Sequence, residues 1–210
     1  MKQRHFIDLH KGCTFLYILF LIGIYSAFDN STIWLYLGLH GTYGFLWIIK
    51  SIVFPDKSWE KQSGILYGLL ILFGLSLYWI APWLIVSGYF NDGNMVVVPN
   101  WLISLSVFLF GMGIFLHFTS DMQKYITLKL NPGKLITSGL FLKSRNMNYF
   151  GEFLIYTSFS ILSMHWIPFI CLLIFIVFIW IPNMKKKDKS LSRFSSFSEY
   201  KKKSNLFLPF

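Results

Sequence analysis

Charge is what this chain has least of. Only 13% of its 210 residues are Asp, Glu, Lys or Arg, against about 25% in a soluble domain. Hydrophobic residues make up 55% and aromatics 20%, and the mean hydropathy is +0.55. A soluble fold could not cover that much apolar surface, which leaves an integral membrane protein. Cysteine is scarce too. Cys13 and Cys171 both sit in apolar runs. That excludes a disulfide framework and a cysteine metal site, and makes each a small buried hydrophobe. The glycine-rich phosphate loops GxxxxGK[ST] and GxGxxG are missing, as is HExxH. No soluble nucleotide fold and no metal site are expected. No repeat or low-complexity linker divides the chain, so residues 1–210 read as one membrane domain.

What is present is a series of apolar runs. Cys13–Phe28, Ile33–Phe54, Ile65–Val86 and Val97–Phe118 read as spans, the third with a kink expected at Pro82. The first lacks a small-residue cleavage site and is followed by similar runs, so it is not a removable signal. Tyr149–Met164 and Ile167–Ile181, joined around His165–Pro168, read as a hairpin. Its arms are shorter than the roughly 20 residues of an untilted crossing. The expected fold is an all-α polytopic membrane bundle of about six transmembrane segments, the last two a short hairpin.

The net charge is +10, and its placement says more than its sum. All 19 Lys and Arg lie before the first run, in 50–64, in 119–146 or in the tail. The opposite turns carry Asp29 and Asp92 and no base. This positive-inside pattern implies an even number of crossings with both termini cytoplasmic, in the inner membrane if the source is bacterial. Juxtamembrane bases point to membrane lipids rather than nucleic acid, and no protein partner is inferred. The sequon Asn30-Ser31-Thr32 lies in a turn too short and too near the bilayer to favour glycosylation.

The longest polar run, Ser120–Glu152, holds Lys124, Lys129, Lys134, Lys143 and Arg145 around a Pro132-Gly133 turn. They read either as contacts to lipid phosphates or as a phosphate clamp whose two flanks the turn directs at one ligand. Asp121 reads as a solvated helix-end carboxylate, a ribose acceptor or an orienter of a nearby base. Asn148 and Glu152 are four apart and share a helical face beside Tyr149. Gly151 between them admits a close helix or ligand. An acid at the mouth of a membrane segment is a candidate functional group, or a group favoured by the helix dipole. In the second run, Tyr43, Trp47 and Lys50 share a face that His40 precedes. Tyr43 is a candidate proton donor assisted by an acid such as Glu60. Packing is the alternative for both His40 and Tyr43, and Asp8 with His10 is a second candidate pair. The tail either lies on the membrane surface or folds Asp188, Arg193, Glu199 and Tyr200 over a ligand.

Taken together, these stretches resemble a known family. They are SDMQK (Ser120–Lys124), GLF (Gly139–Phe141), SRNMNYFGE (Ser144–Glu152), KDKSLSR (Lys187–Arg193), EYK (Glu199–Lys201) and the closing Leu-Pro-Phe. Over residues 115–210 the chain resembles the C-terminal domain of steroid 5-alpha-reductases, closest to the bacterial-type DUF1295 branch. The resemblance implies a helical bundle with NADPH in a cavity open to the cytoplasm. It puts Asp121, Asn148, Glu152 and Tyr200 on the cofactor. The family's second-span donor motif is partly met by HGTYG (His40–Gly44), and its upstream catalytic Glu has no counterpart. The same superfamily holds isoprenylcysteine carboxyl methyltransferases and phospholipid methyltransferases, which use S-adenosylmethionine. Their Arg-His-Pro-x-Tyr is Arg-Asn-Met-Asn-Tyr at 145–149 here, and their paired Glu is replaced by Asp188-Lys189.

The leading expectation is therefore a membrane reductase transferring hydride from NADPH to a C=C bond of a lipophilic, steroid- or enone-like substrate. Lys129, Lys134, Lys143 and Arg145 would hold phosphates. Asp121, Asn148, Tyr149, Glu152, Asp188 and Tyr200 would hold the rest of the nucleotide, and Tyr43, Glu60 and His40 would serve the reacting end. The alternatives are an S-adenosylmethionine-dependent lipid or isoprenylcysteine-type methyltransferase and a non-catalytic binder of anionic lipid. Clustered positive charge favours the phosphate-bearing cofactor.

Overall fold

The apolar runs fold as helices, and the polar turns cap and separate them. A computed structural model describes residues 1–210. Helix α1 spans Gln3–Ile24 and α2 Ser31–Val53. Asn30 caps α2 by accepting from Ile33 N–H at 3.0 Å and donates to the Val96 carbonyl at 3.0 Å. The sequon asparagine is thus a buried N-cap. Next come α3 (Ile65–Ser76), a tight turn at Leu77–Trp79 and α4 (Ile80–Ser87). The break falls just before Pro82, which has no N–H to continue the helical ladder.

Helix α5, Asn100–Leu130, runs 31 residues, so the first third of the polar stretch is helical. Helix α6 is Met147–Leu162, α7 Trp166–Phe175, α8 Ile181–Leu191 and α9 Phe197–Lys203. A wide π-turn, Ile176–Trp180, joins α7 to α8. This corrects the expected short hairpin. Its second arm does not stop at Ile181 but runs from Trp166 to Leu191, 26 residues, long enough to cross. The wide turn lies immediately before Pro182, where the helical hydrogen bond is lost, and the polar residues beyond continue the helix.

By length and composition, Gln3–Ile24, Ile65–Ser87, Asn100–Leu130 and Trp166–Leu191 can each cross a membrane. Helix α2 is as long, with 23 residues, but turns Tyr36, His40, Tyr43, Trp47 and Lys50 inward. Helix α6 has 16 residues. Large apolar side chains such as Leu66, Phe73, Phe108 and Phe178 point outward, as a polytopic helical membrane protein requires. Lys2, Asp56, Glu60, Lys124 and Lys143 gather at one end of the bundle through ion pairs and a strand-like contact. Asn30, Val96, Phe90 and His165 mark the other.

Two close crossings set the site. A Cβ on Gly151 would stand 2.4 Å from His117 N, and one on Gly113 2.7 Å from Gly151 O. Helices α5 and α6 therefore touch backbone to backbone. A Cβ on Gly44 would stand 2.3 Å from the Lys11 carbonyl, which brings α1 equally close to α2.

Candidate functional site

Each crossing carries charged residues inward. On α1, the buried stripe Ile7, Lys11, Thr14, Ile18 and Leu21 has helical spacing, so Lys11 sits on the inner face. On α2 the stripe Tyr36, His40, Tyr43, Trp47 and Lys50 does the same. On α6, Asn148, Glu152 and Tyr156 repeat every four residues and face the cavity together.

The centre is a hydrogen-bonded set drawn from α1, α2 and α6. Lys11 Nζ donates to the Tyr43 hydroxyl at 2.5 Å and to the Tyr156 hydroxyl at 3.1 Å. It lies 3.5 Å from Glu152 Oε1. Tyr43 donates its own proton to Glu152 Oε1 at 2.8 Å. The Lys11 ammonium also lies 4.0 Å from the Trp47 ring centroid. Tyr156 stacks on Tyr78 with ring centroids 3.9 Å apart, and its hydroxyl accepts from Lys11.

This set opens on a cavity of about 420 Å³. One end is polar, with Lys50, Asp56, Asp121, Asn148 and Asn183. The other is apolar, with Leu70, Ile71, Leu75, Phe175, Phe178 and Ile179. Lys11, Glu152 and Tyr156 stand on its wall. At the polar end, buried Asp121 is ion-paired with Lys50 and lies 3.6 Å from Lys124. His117 bonds the Asn148 carbonyl through Nδ1 at 3.0 Å.

Beside the cavity lies a groove of about 330 Å³ lined by Lys50, Asp56, Lys57, Asp121, Lys124 and Lys129. It shares Lys50, Asp56 and Asp121 with the cavity, so the two adjoin. Four lysines against two aspartates leave it an excess of two positive charges. The loop at its mouth is pinned by Lys124 to Asp56 at 2.9 Å. Burial pushes the Asp56 carboxyl up, but the Lys124 ammonium and hydrogen bonds from Lys124 and Ser58 more than offset this and bring it to about 2.

The structure sorts the residues singled out from sequence. Asp121, Asn148, Tyr149 and Glu152 line the cavity, and Lys129 lines the groove. Lys134 and Lys143 are exposed and line neither, because Gly133, at φ 79°, turns the chain outward after α5. Arg145 is buried and its charge is spent. It makes a two-pronged pair with Asp188 at 3.0 and 2.9 Å and donates to the Ser204 carbonyl. Tyr200 is buried as well and donates to the Phe141 carbonyl at 2.5 Å. These three tie the tail to the start of α6 rather than facing a ligand. A buried guanidinium needs its counter-ion, which is why Asp188 goes to Arg145.

The reacting end is also corrected. Glu60 lies on the outer loop, paired with Lys2 at 2.6 Å and Arg4 at 2.9 Å. The acid at Tyr43 is Glu152. Tyr43 is fully buried behind Lys11 and Glu152 and does not reach the cavity. His40 stacks on Phe159 at 4.3 Å and bonds the Tyr36 hydroxyl at 3.2 Å, away from the cavity. Asp8 accepts from Trp47 Nε1 at 3.1 Å and Ser51 Oγ at 2.7 Å, not from His10.

A family model described as a protein of unknown function, DUF1295, matches residues 55–204. The chain belongs to the DUF1295 family. Neither a curated protein nor a solved structure matches it. The DUF1295 match takes in Asp56, Asp121, Asn148, Glu152 and Tyr156, whereas Lys11, Tyr43 and Lys50 precede it. Three of these eight residues of this DUF1295 protein therefore come from α1 and α2, outside the matched region.

Proposed function

We propose that the chain is a membrane-embedded, NADPH-dependent reductase acting on a C=C bond conjugated to a carbonyl in a lipophilic substrate. The observation that carries the proposal is the Tyr156 hydroxyl. It stands on the wall of a cavity polar at one end and apolar at the other, and accepts from the Lys11 ammonium at its back. Such a group polarises a carbonyl and protonates its oxygen. Bound NADPH would supply the hydride to the β-carbon. As the C=C electron pair moved toward the carbonyl, Tyr156 would give its proton to that oxygen, and the enol would hand that proton back to Tyr156 as its α-carbon took one from water to give the saturated ketone. Lys11 stabilises the tyrosine anion left behind. Tyr43 and Glu152 position Lys11.

The chain's residues fit the cofactor. Lys57 and Lys129, rather than Lys134, Lys143 and Arg145, would meet its phosphates in the groove of excess positive charge. Asp121, Asn148 and Tyr149 would meet the polar remainder at the adjoining end of the cavity. S-adenosylmethionine carries no phosphate and would leave that groove unmatched.

Thermal melting of the purified protein tests the proposal. NADPH should raise the melting temperature and S-adenosylmethionine should not, with the NADPH effect reduced in the Lys57→Ala, Lys129→Ala double variant. Stabilisation by S-adenosylmethionine alone would replace the reductase with the methyltransferase. No response to either would leave the anionic-lipid binder.

A further inference from the structure

The apolar end of the cavity is not closed. Leu70 and Phe178 line it, yet they are 61% and 72% exposed on the outside of the bundle. Side chains can do both only at an opening. Helix α3 packs on α1, and α7 packs on α4 and α6. Helix α7 meets the Leu77–Trp79 turn at the end of α3, but α3 itself and the α7–α8 turn show no comparable packing. Gly74 stands at this gap, where a Cβ would meet nothing within 4 Å. It lies near the middle of the 23-residue stretch Ile65–Ser87, which is long enough to cross a membrane. The gap therefore faces the hydrocarbon of the bilayer, not water.

We infer that the substrate is a bilayer-resident amphiphile with a carbonyl at one end of an apolar chain, and that it enters sideways between α3 and the α7–α8 turn. Head and tail fit the two parts of the path. The head meets the Tyr156 hydroxyl on the cavity wall. The tail lies along Leu70, Ile71, Phe178 and Ile179 and stays partly among lipid chains. Nothing at the gap could pair with a charge, so a charged ligand crossing there would be unsolvated in hydrocarbon. A ligand already dissolved in the bilayer carries its apolar chain past Gly74 without leaving an apolar environment. The cofactor has the separate, charged groove. The inference rests on the reductase reading only for the chemistry of the head group.

A long-chain alkyl vinyl ketone with a diazirine at its chain end provides the test, in phosphatidylcholine vesicles containing the protein. On irradiation, label should map to Leu70–Gly74 and to the Phe175–Ile179 region. Gly74→Trp starts from a Cβ that meets no neighbour, puts an indole into the gap and should abolish that labelling. It should leave the melting temperature and the NADPH shift unchanged. Gly74→Leu should reduce labelling in between. Gly111→Trp, at another glycine with open space around it on α5, should leave labelling intact. Label confined to the Pro55–Gly64 loop, labelling indifferent to Gly74→Trp, or no labelling would each overturn the inference. Labelling lost in Gly74→Trp in a protein that NADPH does not stabilise would overturn the reductase and keep the lateral path. NADPH stabilisation with label at the loop would do the reverse.

Discussion

A lysine on the inner stripe of a membrane helix has to be compensated where it stands. Lys11 is compensated by Glu152, Tyr43 and Tyr156, from two other helices. Removing one partner of such a buried pair costs about 3–5 kcal/mol, because the remaining charge is left alone. Glu152→Leu should therefore lower the melting temperature sharply, and adding Lys11→Met should restore much of the loss. A double variant no more stable than Glu152→Leu would show that the pair is not coupled. Tyr156→Phe separates chemistry from stability. It removes one hydroxyl, worth about 1 kcal/mol as a hydrogen bond. Reduction of a long-chain enone should fall by about 10²–10⁴-fold, the usual share of a general acid. The NADPH shift in melting should persist. Turnover at the parent rate would exclude Tyr156 as the donor.

At the scale of helices, the α5–α6 crossing holds Asn148 and Glu152 against His117. Gly151→Ala would force a Cβ into the His117 backbone. Overpacking of this kind costs about 1–3 kcal/mol, and here it also displaces the Asn148–Glu152 face. Melting temperature and NADPH response should drop together, whereas Gly111→Ala, in open space, should change neither. The mouth loop adds a pH test. The Asp56 carboxyl is depressed from 3.8 to about 2, so the stability it contributes is fully present above pH 3.8 and is lost as pH falls through about 2. Loop cleavage by a protease active in acid should be flat from neutral pH to 4 and rise below it. Asp56→Asn should be cleaved readily at every pH. These contacts differ in how far sequence reveals them. Glu152 and Asn148 share a face by spacing alone, and Tyr156 is simply the next step of that spacing. Lys11 likewise sits between Ile7 and Thr14 on one stripe. The pairs Arg145–Asp188 and Lys124–Asp56 join residues 43 and 68 apart. Local pattern does not contain them, since only packing decides which distant charge arrives. That is why Arg145 reads as a free phosphate ligand until its counter-ion is seen.

For the molecule as a whole, scarcity of charge made the helical membrane class legible at once, and the alternation of apolar runs with turns gave most of the helices. The ends were harder. Helix α5 continues into the polar stretch and the last crossing continues past Pro182, because a helix needs only backbone bonds to go on, not apolar side chains. These extensions bring Lys124 and Lys187 to the end of the bundle that already holds Lys2, Lys57 and Lys143. At that end Lys187 donates to the Arg145 carbonyl at 2.6 Å. None of the 19 bases lies near Asn30, Asn94 or His165 at the other end. Translocating a base-rich segment is unfavourable, so the base-rich end should be cytoplasmic and both termini with it. Fluorescent-protein fusions at Met1 and Phe210 should fluoresce, and alkaline phosphatase should be active only when inserted in the Ser87–Asn94 turn. A cysteine placed at Asp92 should react with an impermeant maleimide from outside, and one placed at Lys202 only after the membrane is opened. If Asp92 were shielded and Lys202 exposed, the whole bundle would be inverted, and the groove proposed for NADPH would face away from the cytoplasmic cofactor pool.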